Sequence, residues 1–211
     1  MKRRAMPLPH TTPFRRAISG LGLALAGALA LSACDSQPAL QTAPLHGAAI
    51  GGPFALTGAD GEIHRWGDFA GQWRIVYFGY TYCPDICPTD VQRLSQGLSQ
   101  FEDADPERGA GVQPIFITID PARDTPEALG QFASNFHPRL IALTGSEETI
   151  AETARTFGVF YSRGREGEGG AYDMNHSNIA YLFAPDGAPV AILPTSEGAD
   201  AIAAELDRWV R

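Results

Sequence analysis

Sulfur is scarce in this chain, which has three cysteines and three methionines in 211 residues. Met1, Met6 and Cys34 fall near the amino terminus, so beyond residue 34 the soft donors reduce to Cys83, Cys87 and Met174. Basic charge is short as well. Residues 1–33 hold five basic side chains and no acid; the rest sets 11 basic against 24 acidic residues, a formal charge of −13. That balance argues against nucleic acid as a partner and mainly serves solubility and encounter with basic surfaces. The one long apolar run, Ile18 to Ala33, is broken by glycine and falls short of the roughly 20 residues a spanning helix needs. No internal repeat or low-complexity block interrupts the remainder, so about 165 residues fit one domain with a sizeable core.

Lys2, Arg3, Arg4, Arg15 and Arg16 ahead of that run read as the n-region of an export signal, with Ile18 to Ala33 as its h-region. The signal ends in Leu31-Ser32-Ala33-Cys34, which resembles a bacterial lipobox. This resemblance implies that Cys34 is lipidated and begins the mature protein, and Asp35 after it points to the inner membrane. The competing reading is an uncleaved anchor helix. Arg15-Arg16 is taken as ordinary n-region charge, not as a twin-arginine signal. Either way the domain is expected outside the cytoplasm, facing the periplasm and tethered to a membrane. Residues 34–48, rich in Pro, Ala and Gln from Pro38 to His46, are expected to form the tether, and 49–211 the domain.

Pro53 to Leu56 and Glu62 to Trp66 flank the turn Ala59-Asp60-Gly61, a hairpin signal. Arg74 to Phe78 is nearly continuous in apolar character, as in a strand buried on both faces. Val91, Leu94, Leu98 and Phe101 then repeat at helical spacing within 89–101. Pro114 to Ile119 predicts a second buried strand, Thr125-Pro126-Glu127 a capped helix start, Leu140 to Leu143 a third strand, and Ser146 the cap of a helix to about Phe157. The polar, Gly-rich stretch from Ser162 to Gly170 cannot supply a core and is expected to be a mobile loop. Asn178 to Phe183 and Pro189 to Leu193 form a hairpin around Pro185-Asp186-Gly187, and Ala199 to Val210 a closing amphipathic helix. The pattern describes an α/β, thioredoxin-like fold with an N-terminal hairpin and an inserted hairpin.

Cys83 and Cys87 fall between a strand's carboxyl end and a helix's amino end, where α/β sheets expose ligand sites and the helix dipole favours thiolate. Both thiols are therefore expected to be more acidic than free cysteine. Four-residue spacing brings the two Cα atoms to roughly 6 Å, near enough to clamp one ion or to close a disulfide, and does not choose between them. A purely structural disulfide is of little use here, because so small a ring contributes about 2 kcal/mol against ~3 for a 15-residue loop. A metal needs a further ligand, and His176 is the candidate. Two thiolates and an imidazole suit copper, as Cu(I) or as a Cu(II) thiolate centre, with zinc as the competing ion. The plainer reading of His176 is a surface histidine at a strand entrance. His46, His64 and His137 are expected to be ordinary exposed histidines. Met174 is expected to fill a packing gap, though its thioether could assist copper. Asp120-Pro121-Ala122-Arg123-Asp124-Thr125-Pro126 reads as a turn, a cap and an Arg to carboxylate pair, with docking or support of the site as the sharper alternative.

Tyr77-Phe78-Gly79-Tyr80-Thr81-Tyr82-Cys83-Pro84-Asp85-Ile86-Cys87-Pro88, the Asp120 to Pro126 segment, Leu143-Thr144-Gly145 and His176-Ser177 occur in this order. Together they resemble the Sco/SenC family of copper proteins, from about Gly51 to the C-terminus. The resemblance implies a thioredoxin-like fold in which Cys83, Cys87 and His176 bind copper, Asp85 is an acidic neighbour, and residues 162–173 move as metal comes and goes. It also implies delivery of copper to the CuA centre in subunit II of cytochrome c oxidase, or to another copper enzyme. Asp173-Met174-Asn175 departs from the family, whose members often carry an acid beside the histidine, and leaves open what supports the His176 ring. Two function classes follow. One is a copper chaperone that works by ligand exchange without substrate turnover. The other is a thiol-disulfide oxidoreductase that reduces a copper-receiving partner, with one of Cys83 and Cys87 as nucleophile and the other as resolving thiol. A peroxidase of related fold stands behind both, since it needs a single activated cysteine with an arginine nearby. His176 discriminates, because copper binding needs it and disulfide exchange does not.

Overall fold

The computed structural model describes residues 40–211; the export signal, Cys34 and Asp35 lie outside them. Two strands set the core, β3 (Trp73–Gly79) and β4 (Val112–Thr118), in each of which every residue is buried. They pair in parallel, and β5 (Ile141–Thr144) continues the parallel set beyond β4. Covered on both faces, these strands have no need of alternating polarity, hence the unbroken apolar runs. Antiparallel strands complete the sheet. β1 (Ala55–Gly58) joins β5 and carries β2 (Ile63–Arg65); β8 (Ala180–Phe183) joins β3 and carries β9 (Pro189–Leu193). The order is β2-β1-β5-β4-β3-β8-β9. This is the expected α/β architecture with both hairpins.

The helices are α1 (Ile86–Ala104), α2 (Pro106–Ala110), α3 (Pro126–Ala133), α4 (Glu147–Thr156) and α5 (Ala199–Trp209). Thr125 and Ser146 cap α3 and α4 as expected, accepting from the N–H of Ala128 at 3.3 Å and of Thr149 at 3.1 Å. α1 and α5 cross closely at Gly97, where a Cβ would stand 2.7 Å from Ile202. α2 was not anticipated; Asp105 caps it through the Arg108 N–H, and Pro106 opens it.

The stretch expected to be a mobile loop is instead largely strand. β6 (Tyr161–Glu166) and β7 (Tyr172–His176) pair antiparallel as a separate two-stranded ribbon, with Tyr161 opposite His176 and Arg163 opposite Met174. Neither strand has a fully buried residue, so backbone pairing forms here without the apolar face that marks a strand in sequence. Residues 40–48, expected in the tether, lie against the domain: Ala43 is buried and the Leu45 N–H donates to the Val190 carbonyl at 3.0 Å. His46 is exposed as expected, but two other histidines are not. His137 is buried, accepting from the Arg139 N–H through Nδ1 and donating from Nε2 to Glu102 at 3.2 Å. His64 is half-buried, stacked on Phe69 and 3.1 Å from Asp60.

Candidate metal centre

Because β3 and β4 run in parallel, the loops that follow them emerge at one edge of the sheet. The first carries the half-buried Cys83 and passes into α1, whose first turn holds Cys87, 0 % exposed. The Cys87 N–H donates to Cys83 Sγ at 3.3 Å, so the helix terminus itself turns an unpaired donor toward one sulfur. His176, the last residue of β7, brings Nε2 to 3.3 Å from Cys87 Sγ. Among the described residues, Cys83, Cys87 and His176 form the one group of this kind able to hold a metal, their donor atoms all within 4.8 Å of one another. Donors bound at about 2.0–2.3 Å from one ion in a trigonal or tetrahedral set are ~3.5–4.0 Å apart, so closure of at most about 1 Å would bring the three onto one ion. The three expected ligands are thus brought together.

The imidazole is set for coordination. Its Nδ1 donates to the Ser177 carbonyl at 3.1 Å, which leaves the Nε2 lone pair facing the sulfurs. Burial lowers the His176 pKa, against the Ser177 hydrogen bond and the charge of Asp90, and so keeps the ring neutral. The backbone carbonyl thus takes the place of the acid that the sequence lacks beside His176. Tyr77 and Tyr80 stand edge-on to the ring at 6.5 and 6.0 Å.

One expectation fails at Cys87. Burial pushes its thiol up, outweighing the hydrogen bond from the Tyr80 backbone, so the metal-free thiol keeps its proton. Desolvation here outweighs the helix terminus, because Cys87 is packed against β3. Gly79 makes that packing possible, since a Cβ there would lie 3.0 Å from Cys87 Sγ, Tyr77 Cε1 and Phe116 Cε2.

The Asp120 to Pro126 segment does more than hold its own turn. Asp124 is buried and accepts from the Thr81 N–H at 3.0 Å and from the Thr81 and Thr118 hydroxyls at 2.6 Å each, which pins the loop two residues before Cys83. Burial raises its pKa even against these hydrogen bonds. Asp120 pairs with Arg123 and accepts from the Tyr172 hydroxyl at 2.9 Å, while Arg123 donates to the Tyr172 carbonyl at 2.9 Å. The guanidiniums of Arg123 and Arg163 each lie 3.7 Å from the centre of the Tyr172 ring. These contacts hold the ribbon that carries His176, in keeping with the supporting role weighed for this segment. Asp85 is exposed and caps α1 without a side-chain bond. A further buried acid beside the site is Asp90, which accepts from the Tyr77 hydroxyl at 3.1 Å. Neither Tyr77 nor Asp90 was anticipated; the available signal was Asp90 lying one helical turn after Cys87.

A cavity of about 410 Å³ opens over the centre, lined by Tyr80, Cys83, Ile86, Met174 and His176, with Asp85 and Asp173 exposed along it. Met174 packs partly against the core, as expected of a gap filler, and also faces this cavity. No helix among the described residues is long and apolar enough to cross a membrane.

Residues 42–211 match the family model SCO1/SenC. The mitochondrial SCO2 homolog of cattle is 45 % identical over 171 residues, covering 79 % of this chain and 64 % of the bovine protein. The chain thus spans just under two thirds of the length of that relative. Among solved structures, Arabidopsis thaliana ScoI with copper bound superposes with a TM-score of 0.70 at 35 % identity, covering 76 % of this chain and 98 % of that one. Bradyrhizobium japonicum ScoI with copper bound gives a TM-score of 0.70 at 33 % identity, covering 77 % and 100 %.

Proposed function

The chain belongs to the SCO1/SenC family, and from that premise we propose that it is a membrane-tethered periplasmic copper chaperone that delivers copper to the CuA site in subunit II of cytochrome c oxidase. The observation that carries this reading is the convergence of Cys83, Cys87 and His176 within 4.8 Å. Two soft thiolates and a neutral imidazole are a copper set, and two structural neighbours were solved with copper bound. Copper is cargo here. When it binds, the Cys87 proton is displaced and the His176 lone pair is already free. Cys83 and His176 face the open cavity, so an incoming donor from the receiving protein can replace them while buried Cys87 keeps the ion.

The test is anaerobic Cu(I) titration of the reduced chain beside His176→Ala. One tightly held copper per chain, weakened at least about tenfold in the variant, is expected; absence of tight binding would overturn the reading. The tether rests on the lipobox-like Leu31 to Cys34. Cys34→Ser is expected to release the protein from membranes with its copper site intact, and persistent attachment would favour an uncleaved anchor.

A second reading is favoured by both cysteines being free, one half-exposed and one buried. Cys83 would attack a partner's disulfide, and Cys87 would resolve the mixed disulfide, leaving Cys83–Cys87 oxidised and the partner reduced. Thiol exchange that survives His176→Ala undiminished supports this activity.

A further inference from the structure

Apolar side chains left in water are ordinary when scattered and informative when they gather. Among the described residues five large hydrophobic side chains are exposed, and two of them, Tyr82 at 59 % and Ile86 at 44 %, stand on either side of Cys83. The other three stand elsewhere, Ile63 on β2, Phe160 ahead of β6 and Ile192 on β9. Tyr82 is also held in place. Its ring lies 4.8 Å from the guanidinium of Arg123, which is fixed by Asp120 and by the Tyr172 carbonyl, and the preceding Thr81 is tied to Asp124. An exposed aromatic ring whose conformation is already set loses little freedom when a partner covers it, which is what an interface anchor needs.

The same mouth is acidic. Asp85 and Asp173 are exposed along the cavity that opens over Cys83 and His176. Neither forms an ion pair among the described residues, whereas the guanidiniums around Tyr172 are matched, Arg123 by Asp120 and Arg163 by Glu166 at 3.8 Å. We infer that Tyr82, Ile86, Asp85 and Asp173 form the docking surface for the copper-receiving protein, and that this partner carries apolar surface and a rim of lysine or arginine around its own metal-binding residues. This rests on the copper-delivery reading above. Charge selects among the occupants. A second copy of this chain, docked by the same face, would set Asp85 and Asp173 against their own counterparts, and an anionic lipid surface would repel them. A basic rim is attracted instead. The two halves of the surface do different work: the apolar pair sets how long the partner stays, and the acids set how fast it arrives.

The experiment mixes the full-length chain, in detergent and loaded with Cu(I), with the metal-free soluble CuA domain of cytochrome c oxidase subunit II from the same genome, and follows copper transfer against domain concentration and salt. Tyr82→Ser is expected to raise the half-saturating concentration of the domain at least about tenfold with Cu(I) affinity unchanged, and Ile86→Ser to raise it in the same direction. Asp85→Asn combined with Asp173→Asn is expected to slow transfer at low salt and to remove most of its salt dependence. All four side chains are exposed, so the variants keep the fold. Tyr82→Ser that transfers as the wild type does overturns the inference and leaves delivery standing, and salt dependence that survives in the acid variant overturns the basic rim. A wild type that binds copper and passes none to this domain overturns both readings. A defect of Tyr82→Ser seen only in self-association by sedimentation, or only in binding of the Cys34→Ser chain to anionic vesicles, names a second copy or a lipid surface as the occupant and also overturns the inference.

Discussion

Cys87 Sγ and His176 Nε2, 89 positions apart in the chain, face each other at 3.3 Å, with the ring proton held on the opposite nitrogen by the Ser177 carbonyl. The metal-free protein therefore stores a neutral thiol against a neutral imidazole. Cys83, half-buried on the cavity, is in a different situation.

That difference predicts chemical selectivity. In the reduced, metal-free chain at about pH 8, iodoacetamide should modify Cys83 first and Cys87 at least about tenfold more slowly, since only an accessible thiolate reacts. Peptide mapping by mass spectrometry gives the two rates, and equal rates would contradict the burial of Cys87.

Stability should depend on pH through His176. Its folded pKa lies below 6.5 because burial disfavours the imidazolium. Below that value the unfolded chain takes up a proton that the folded chain refuses, so stability rises with pH across this window. The contribution is present above pH 6.5 and is lost as pH falls through the folded pKa. Urea unfolding of metal-free wild type and His176→Phe should show a difference that shifts against the wild type between about pH 7.5 and pH 5. A constant difference would count against a buried neutral ring.

Gly79→Ala should damage fold and site together. The added methyl would press on Cys87 Sγ, Tyr77 and Phe116 at 3.0 Å each, and overpacking of this kind costs about 1–3 kcal/mol. Urea unfolding measures the loss and Cu(I) titration the accompanying drop in affinity. Full stability with unchanged affinity would mean that β3 and α1 have more room between them than the structure allows.

The cysteine pair and the strand-helix frame around it were legible because β3, β4 and α1 bury whole faces, and burial writes periodicity into sequence. His176 was legible through its motif. The ribbon was not, since β6 and β7 bury no residue fully and their Gly and charged side chains read as loop. Asp90 and His137 were missed for a related reason: each is buried with a partner from another element, Tyr77 for one and Glu102 for the other. The acidity expected of Cys87 failed because helix position is visible in sequence and desolvation is not.

Asp124→Ala should loosen the Cys83 loop from behind. It removes the acceptor of the Thr81 N–H and of the Thr81 and Thr118 hydroxyls, a loss on the order of 3 kcal/mol if these buried donors find no replacement. Hydrogen exchange should accelerate at residues 80–83 more than in β4. Unchanged exchange there would show that the loop is held by other contacts.

The ligands belong to two separately built parts. Both cysteines ride on the junction of β3 and α1, beside the seven-stranded sheet's core, while His176 rides on a ribbon that shares no strand pairing with that sheet. Withdrawing the imidazole asks for release of the Tyr172 clamp and leaves every ladder of the main sheet intact. The domain is in this respect a vice with two separately anchored jaws, and no strand pairing of the core joins one to the other.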